Sequence, residues 1–220
     1  MRLIIIGGDK VTFYLVNLLA EKDIDITVIE TRLEVCRHLA DQTEVTVFHG
    51  DGTNREVLAQ AGCANADMLI ALTGRDENNL VACQLAKHDF GAKTTLAKLN
   101  NPKNRDAFNI YGVDRIYSST EILADIIDWD IEYDGMRVAY SIPGNTKYMV
   151  ELDLSERSPA VGKTLAEYQF PVDITVALIT REDTGEIVVP NGNVVMRAGD
   201  HMLLVCDKDD FDHIWRTMVL

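Results

Sequence analysis

The first part of the chain alternates between short apolar runs and stretches with the 3.6-residue periodicity of a helix. The segments REVLAQAG and ENNLVACQLAKHDFG are examples of the helical stretches. Apolar runs separated by helices are typical of a parallel sheet covered by helices on both faces. The pattern predicts an α/β fold with a doubly wound parallel sheet in residues 1–134. The apolar runs are RLIII (2–6), DITVI (25–29), VTVF (45–48), DMLIAL (67–72), TTLAK (94–98) and DRIY (114–117).

After residue 134 the pattern changes to alternating runs separated by turn residues. The connections PGNT, REDTGE and PNGN have turn chemistry, and KTLAEYQ (163–169) and DDFDHIWRTM (209–218) are expected to be helices. We therefore expect residues 135–220 to form a second, small α+β domain. Its expected strands are MRVAYSI, YMVELDL, ITVALIT, EIVVP and HMLLV.

The segment STEILADIIDWDIEYDG (119–135) joins the two patterns. It is expected to be a helix that runs into an exposed acidic connector, because four acids alternate with other residues at its end. Its apolar residues either form an interface with another copy or cover the sheet of their own domain. The acids are Asp128, Asp130, Glu132 and Asp134, and the apolar residues are Ile122, Leu123, Ile126, Ile127 and Trp129.

The charge and the cysteines narrow the class of protein. The formal net charge is −14, which argues against binding to nucleic acid or to an anionic membrane surface. No apolar run approaches the roughly 20 residues that span a bilayer, and no signal peptide is recognised, so we expect a cytoplasmic protein without direct membrane insertion. The four cysteines lie far apart and are expected to be reduced and buried, with no metal site.

The turn GGDKVT (7–12) follows the first apolar run, where a dinucleotide-binding protein has a glycine-rich loop. Gly7 fills the first glycine position and Gly8 lies beside it. Asp9 takes the second position, where its charge opposes a phosphate, and Thr12 takes the third, where it moves the helix outward. Lys10 partly compensates, because it can reach a phosphate near the helix start.

Acidic and glycine residues follow the second and third runs. Glu30 ends the second run, where an acid accepts hydrogen bonds from ribose hydroxyls, which favours NAD, AMP, ADP or ATP over NADP. Arg32 follows and can address a phosphate. After the third run, Gly52 permits close backbone approach and Asp51 is placed where an adenine edge would lie. Thr53 or Asn54 is the expected N-cap of the next helix.

The loops after the fourth and fifth runs add further candidates. Thr73, Gly74 and Arg75 are expected to contact a phosphate, and Lys98 is expected to point toward the same cleft. The helix dipole is a sufficient explanation for Asp76 and Glu77 at the next helix start.

Sequence signals of catalysis are lacking. No Tyr-x-x-x-Lys pair, G-x-S-x-G or H-E-x-x-H motif occurs, and the five histidines do not cluster at metal-ligand spacing. A nucleotide cleft without a catalytic set is more typical of a sensor than of an enzyme.

Three long segments resemble the regulatory subunits of bacterial and archaeal Trk/Ktr potassium uptake, which are built from RCK domains. They are GDGTNREVLAQAGCANADMLIALTGRDENNLVACQLAK, NNPKNRDAFNIYGVDRIYSSTEILADII, and SERSPAVGKTLAEYQFP with the run that follows it. The resemblance implies a Rossmann-like nucleotide-binding domain and a C-terminal RCK domain. It further implies a homo-oligomer, a ring of dimers beneath a membrane potassium-translocating subunit, gated by an adenine nucleotide.

The resemblance also implies site residues. By position, the nucleotide contacts of the family fall on Gly7, Gly8, Glu30, Asp51, Thr73, Gly74 and Lys98. The family usually has glycine where this chain has Asp9 and Thr12, so a mononucleotide such as AMP suits the site better than NAD.

Two further sites follow from the resemblance alone. Glu121 falls near an acid that helps some members to hold a cation at the dimer interface, although an acid that stabilises the start of a helix is the favoured explanation. Cyclic di-AMP binds some C-terminal domains of the family, and here Arg181 and Asn191 are the residues available to line such a cleft.

The alternatives to a pore-gating subunit are a stand-alone nucleotide sensor and a Rossmann oxidoreductase.

Overall fold

The computed structural model of the chain describes residues 1–141, 146–170 and 173–220. These residues form two compact units, Met1–Ile122 and Leu123–Leu220. The expected turn PGNT lies outside the described residues apart from Thr146. The strands are β1 Arg2–Ile6, β2 Asp25–Glu30, β3 Thr46–His49, β4 Met68–Ala71, β5 Thr94–Lys98, β6 Arg115–Tyr117, β7 Met136–Ser141, β8 Lys147–Asp153, β9 Thr175–Thr180, β10 Ile187–Val188 and β11 His201–Asp207. The helices are α1 Lys10–Leu19, α2 Leu33–Gln42, α3 Arg55–Gln60, α4 Asp76–Gln84, α5 Arg105–Ile110, α6 Ser119–Glu132 and α7 Phe211–Ile214.

The first unit contains one six-stranded parallel sheet in the order β3-β2-β1-β4-β5-β6. Alternate residues of β1 explain why the strand is apolar throughout. Leu3 and Ile5 pack into one core cluster, while Ile4 and Ile6 pack into another. Each of these side chains is at most 3% exposed, and burying such a side chain contributes about 1.5–3 kcal/mol. The predicted doubly wound fold is confirmed.

The strand order reverses direction between β1 and β4. The chain moves outward from β1 to β3 on one side and from β4 to β6 on the other. The loops after β1 and β4 therefore diverge at the carboxyl edge of the sheet, and the crevice between them is where ligands bind in such folds.

The second unit contains a five-stranded sheet in the order β10-β9-β11-β8-β7, and its pairings are antiparallel. Its last helical segment runs from a short 3₁₀ turn at Lys208 through α7 to Val219, as expected. The expected helix at KTLAEYQ is wrong, because these residues form turns. The carboxylate of Glu167 accepts from the backbone and the hydroxyl of Thr164, each at 3.0 Å, and these hydrogen bonds close a turn instead of a helix.

Helix α6 continues through the segment expected to be an acidic connector. It ends at Glu132, so Asp128 and Asp130 lie on the helix and the predicted connector there is wrong. The apolar residues keep helical spacing over the whole segment, which explains why the helix does not stop at the acids. The division between the units falls inside α6, earlier in the chain than the expected boundary after residue 134.

The apolar residues of α6 are open to solvent. None of the residues of this helix, all of which the structure describes, is buried. Exposure ranges from 44% at Ile126 to 79% at Ile131, with Ile122, Leu123 and Ile127 between these values. Trp129 is the exception, because it is half-buried and its ring makes an edge contact with Tyr148 on β8, with the ring centroids 6.4 Å apart.

Candidate functional site

A cavity of about 310 Å³ lies at the carboxyl edge of the parallel sheet, where β1, β2, β3 and β4 end. It combines backbone from three glycine-containing loops, after β1, β3 and β4, with acidic and basic side chains. Its lining residues are Ile6, Gly7, Asp9, Ile29, Glu30, Thr31, Arg32, Gly50, Asp51, Gly52, Thr53, Thr73, Gly74, Arg75 and Asn78.

Gly7 forms the turn that leads from β1 toward α1. Its φ of +97° lies in the region that favours glycine, and a Cβ there would lie 3.2 Å from the backbone nitrogen of Thr73. Thr12 is completely buried at the third glycine position, and its hydroxyl donates to the Gly7 carbonyl oxygen at 2.6 Å. The Thr12 side chain, which was expected to move the helix outward, ties α1 to the turn by this hydrogen bond.

Asp9 does not cap α1 with its side chain. Its Oδ1 accepts a hydrogen bond from Nη2 of Arg32 at 2.6 Å, although the two residues lie 23 positions apart in the sequence. Both side chains are about half exposed, at 44% and 48%. The acid at the second glycine position is therefore paired with a cation at the mouth of the cavity.

Glu30 ends β2 with its side chain only 3% exposed. Backbone amides hold it from the protein side, with Gly8 N donating to Oε2 at 2.6 Å and Arg32 N donating to Oε1 at 2.8 Å. The guanidinium of Arg32 adds two bonds of 3.0 Å, from Nε to Oε1 and from Nη2 to Oε2. Both carboxylate oxygens are fully engaged.

These bonds control the charge of Glu30. Burial raises the pKa of the carboxyl, but the hydrogen bonds from the Arg32 side chain and from the Arg32 and Gly8 backbones outweigh it and lower the pKa to about 2. Hydrogen bonds from the guanidinium to Glu30 and to Asp9, together with their negative charges, raise the pKa of Arg32 above its ordinary value. Glu30 is ionised at neutral pH, as a ribose-binding acid must be to accept hydroxyl hydrogens.

The loop after β3 approaches β1 closely. A Cβ on Gly52 would lie 2.3 Å from Cγ2 of Ile6, so only glycine fits without a shift of the strand. Asp51 accepts from the backbone and the hydroxyl of Thr53, each at 2.8 Å, and Asn54 caps α3 as expected. The cavity wall at this position is thus made largely of backbone.

The loop after β4 is held by a buried residue that the sequence analysis missed. Asn79 is completely buried, and its Oδ1 accepts from the backbone nitrogen of Thr73 at 2.9 Å. Its Nδ2 donates to the Lys98 carbonyl oxygen at 2.8 Å. Asparagine is a poor residue for a helix interior, and that was the available signal of a tertiary role.

Asp76 also has a larger role than the helix dipole suggested. It accepts from the backbone nitrogens of Asn100 and Asn101, at 2.7 and 2.9 Å, and from the side chain of Asn104 at 2.8 Å. Burial raises the pKa of Asp76, but these hydrogen bonds outweigh it and lower the pKa below its usual value. The start of α4 therefore fixes the loops after both β4 and β5.

Nine of the twelve predicted site residues line the cavity, and three do not. Gly8 is buried and turns its amide to Glu30, and Lys10 lines a neighbouring cavity between α1 and α2. Lys98 lies outside the lining, and its carbonyl oxygen faces Asn79. Arg75 lies on the rim, paired with Glu77 at 2.6 Å.

The residues expected to bind other ligands have structural partners. Arg181 is 7% exposed and ion-paired with Asp200, so the suggestion that it lines a cyclic di-AMP cleft is corrected to a role in the domain interior. Glu121 is ion-paired with Arg105. The Arg181 side chain is therefore not available as expected, whereas the Glu121 side chain is about one-third exposed, at 34%.

Comparison with known proteins identifies both halves of the chain. Residues 3–119 match the model of the TrkA-N domain, and residues 149–217 match the TrkA-C domain. The chain is 31% identical to a Trk system potassium uptake protein TrkA of Halomonas elongata, covering 96% of this chain and 47% of that protein. It is 26% identical to a TrkA homolog of Methanothermobacter thermautotrophicus, covering 95% of each.

A solved structure shares the fold. A "GsuK channel bound to NAD" superimposes with a TM-score of 0.67 and 20% identity, covering 94% of this chain and 37% of that chain. The chain spans about half the length of most of the curated relatives it matches.

Proposed function

The chain belongs to the TrkA-N domain family, and on that premise we propose that it is a nucleotide-sensing regulatory subunit that gates a membrane potassium transporter or channel. The observation that carries the proposal is the cavity at the strand switch point, with the Gly7 turn on one side and the ionised Glu30 on another. An ionised acid at the end of β2 is suited to the hydroxyls of a ribose.

The ligand we propose is an adenine nucleotide, and the cavity favours a mononucleotide. One relative of this fold is named as bound to NAD. In this chain Asp9 stands where the backbone of such proteins approaches the pyrophosphate, and it places a carboxylate there. AMP brings a single phosphate and needs no diphosphate bridge past Asp9, so we propose that AMP binds more tightly than NAD, with ADP and ATP between them.

Self-association is part of the proposal. The exposed apolar face of α6 is larger than isolated surface residues produce, and such faces mark interfaces. We propose that it pairs two copies and that pairs assemble as a ring on the cytoplasmic side of the pore subunit. Among the described residues, no helix combines the length and the apolar character that a membrane span requires, so we assign the contact with the membrane to the partner.

The proposed mechanism is a shift between two shapes of the oligomer. A nucleotide changes the balance between them only by its difference in affinity for the two. Cavity residues from four strand ends contact one ligand, so binding would alter the spacing of the loops after β1, β2, β3 and β4. The bound shape then biases the pore toward one state.

Calorimetric titration of the full chain with AMP, ADP, ATP, NAD and NADH tests the proposal, and the same series with Asp9→Gly tests the part played by Asp9. We expect AMP to bind, NAD to bind weakly, and Asp9→Gly to strengthen NAD. Absence of binding by all five nucleotides to a folded chain contradicts the nucleotide function. Light scattering at micromolar concentration tests assembly, and a monomer there contradicts the ring.

A further inference from the structure

The guanidinium of Arg32 covers the acid that a ribose would use. Glu30 has two carboxylate oxygens, and each already accepts one backbone amide and one hydrogen bond from the Arg32 side chain. Oε1 also accepts a hydrogen bond from the Thr31 hydroxyl at 3.1 Å. A ribose diol cannot reach Glu30 while these bonds persist. Ligand entry therefore requires Arg32 to leave Glu30.

Displacing Arg32 without a replacement is costly. Glu30 is buried and ionised, and a buried charge that loses its partner is strongly destabilising. The two ribose hydroxyls can replace the two lost hydrogen bonds to Glu30. The displaced guanidinium then needs an anion of its own, and a neutral nucleoside does not supply one.

We propose that Arg32 is a partner-exchanging latch that makes the cavity selective for 5′-phosphorylated ribonucleosides. This inference rests on the proposed nucleotide-binding function. In the closed state Arg32 bridges Asp9 and Glu30. In the bound state the ribose hydroxyls take Glu30 and the phosphate takes Arg32. A nucleotide therefore supplies a new partner for Glu30 and a new partner for Arg32. A nucleoside supplies one for Glu30 only.

The position of Asp9 explains how Arg32 can reach a phosphate. Nη2 of Arg32 lies 2.6 Å from Oδ1 of Asp9, and Asp9 occupies the loop position that faces the phosphate in this type of fold. Arg32 needs no long movement, because it already bridges the ribose acid and the phosphate position. Asp9 acts as an internal competitor that holds the latch closed.

Two sources of phosphate fit the same guanidinium, a nucleotide and free inorganic phosphate. The diol requirement separates them, because inorganic phosphate has no ribose diol and its negative charge is repelled by the ionised Glu30. We therefore expect inorganic phosphate to bind far more weakly than AMP.

The experiment compares AMP, adenosine and inorganic phosphate by calorimetry on the wild-type chain and on three variants. Arg32→Gln keeps amide donors for Glu30 but removes the charge, and Asp9→Asn removes the competitor with almost no change of shape. Arg37→Gln makes the same change as the first variant at an exposed arginine on α2 that lies outside the cavity lining. Melting curves establish that each variant is folded.

In the wild type, AMP should bind at least about tenfold more tightly than adenosine, since only AMP brings a phosphate that forms a charge-assisted hydrogen bond with Arg32. Arg32→Gln should remove most of this preference, Asp9→Asn should tighten AMP, and Arg37→Gln should match the wild type. If Arg32→Gln does not fold, Asp9→Asn decides, and unchanged AMP affinity in that variant overturns the latch.

Three other results overturn the latch. They are equal affinity for AMP and adenosine in the wild type, an unchanged preference in folded Arg32→Gln, and inorganic phosphate binding as tightly as AMP. These results leave nucleotide binding itself intact. A folded wild type that binds none of the nucleotides instead contradicts the proposed function, and the latch falls with it.

Discussion

Arg32 at the mouth of the cavity and Arg181 inside the second unit both pair with carboxylates, but their surroundings differ. Arg181 is 7% exposed and Asp200 is 2% exposed, whereas the side chains of Arg32 and Asp9 are 48% and 44% exposed. The interior pair has no water to replace a lost partner, so it is fixed. The exposed pair of Arg32 and Asp9 can exchange partners at low cost because solvent and ligands reach both side chains.

The largest effect on stability is expected at the interior pair. Asp200→Asn leaves the charge of Arg181 buried without its counter-charge, while the amide oxygen can still accept from the backbone nitrogen of Arg197, which lies 2.7 Å from Asp200 Oδ2. Breaking a buried pair from one side costs about 3–5 kcal/mol of unfolding free energy. Urea denaturation followed by tryptophan fluorescence measures it, because Trp129 and Trp215 both belong to the second unit. A loss below about 1 kcal/mol would show that the interior pair is no more fixed than a surface pair.

The next effect concerns the charge of Glu30 and depends on pH. Its folded pKa of about 2 lies below the ordinary value of 4.5, so its contribution is complete above about pH 4.5 and is lost as the pH falls toward 2. Glu30→Gln should therefore be less stable than the wild type at pH 7, by at most about 3 kcal/mol for a shift of this size. Chemical denaturation at pH 7, 5 and 4 checks the sign, since the gap should narrow as the pH falls. A gap that widens toward pH 4 contradicts the assigned ionisation.

A smaller loss is expected where the cavity loop is held by neutral groups. Asn79→Ala leaves the backbone nitrogen of Thr73 and the Lys98 carbonyl without their buried partner, which costs about 1–3 kcal/mol. Far-ultraviolet circular dichroism during denaturation measures the loss. Asn78, the half-buried neighbour of Asn79, provides the control. The Asn78→Ala variant should be clearly more stable than Asn79→Ala. Equal losses would mean that α4 tolerates neither change and that the loop bonds are not the cause.

The smallest effect on stability is expected at Asp9, and it sharpens the comparison most. Asp9→Asn repeats the chemical change of Asp200→Asn at an exposed pair, where the cost is typically below about 1 kcal/mol. The two denaturation curves, recorded side by side, should differ several-fold in lost free energy. If Asp9→Asn were as destabilising as Asp200→Asn, Arg32 would be a structural residue and not an exchangeable one.

The sheet of the first unit was predictable because short runs rich in apolar residues alternate with segments of helical periodicity. The edge at which Glu30, Asp51 and Thr73 meet followed from the parallel topology alone. The pairing of Asp9 with Arg32 did not follow, because both were expected at that edge but the partner of each charge depends on side-chain geometry. Distance along the sequence gives no signal for a contact of this kind.

Other errors have separate causes. KTLAEYQ has residues that favour helices, yet the Thr164–Glu167 hydrogen bonds give its backbone a turn. Arg181 was expected to line a cleft on the resemblance alone, and only the fold places Asp200 beside it in the interior. Asn79 was overlooked because its partners, the loop after β4 and the end of β5, meet it only in the folded unit.

The most direct test is a crystal structure of the full chain grown with AMP. We expect AMP in the cavity beside Gly7, with its ribose hydroxyls hydrogen-bonded to Glu30 and its phosphate bound by Arg32. The Arg32 side chain should then contact neither Glu30 nor Asp9. AMP bound elsewhere would contradict the proposed nucleotide site. AMP bound in the cavity with the Arg32 side chain still hydrogen-bonded to Glu30 would contradict the exchange of partners by Arg32.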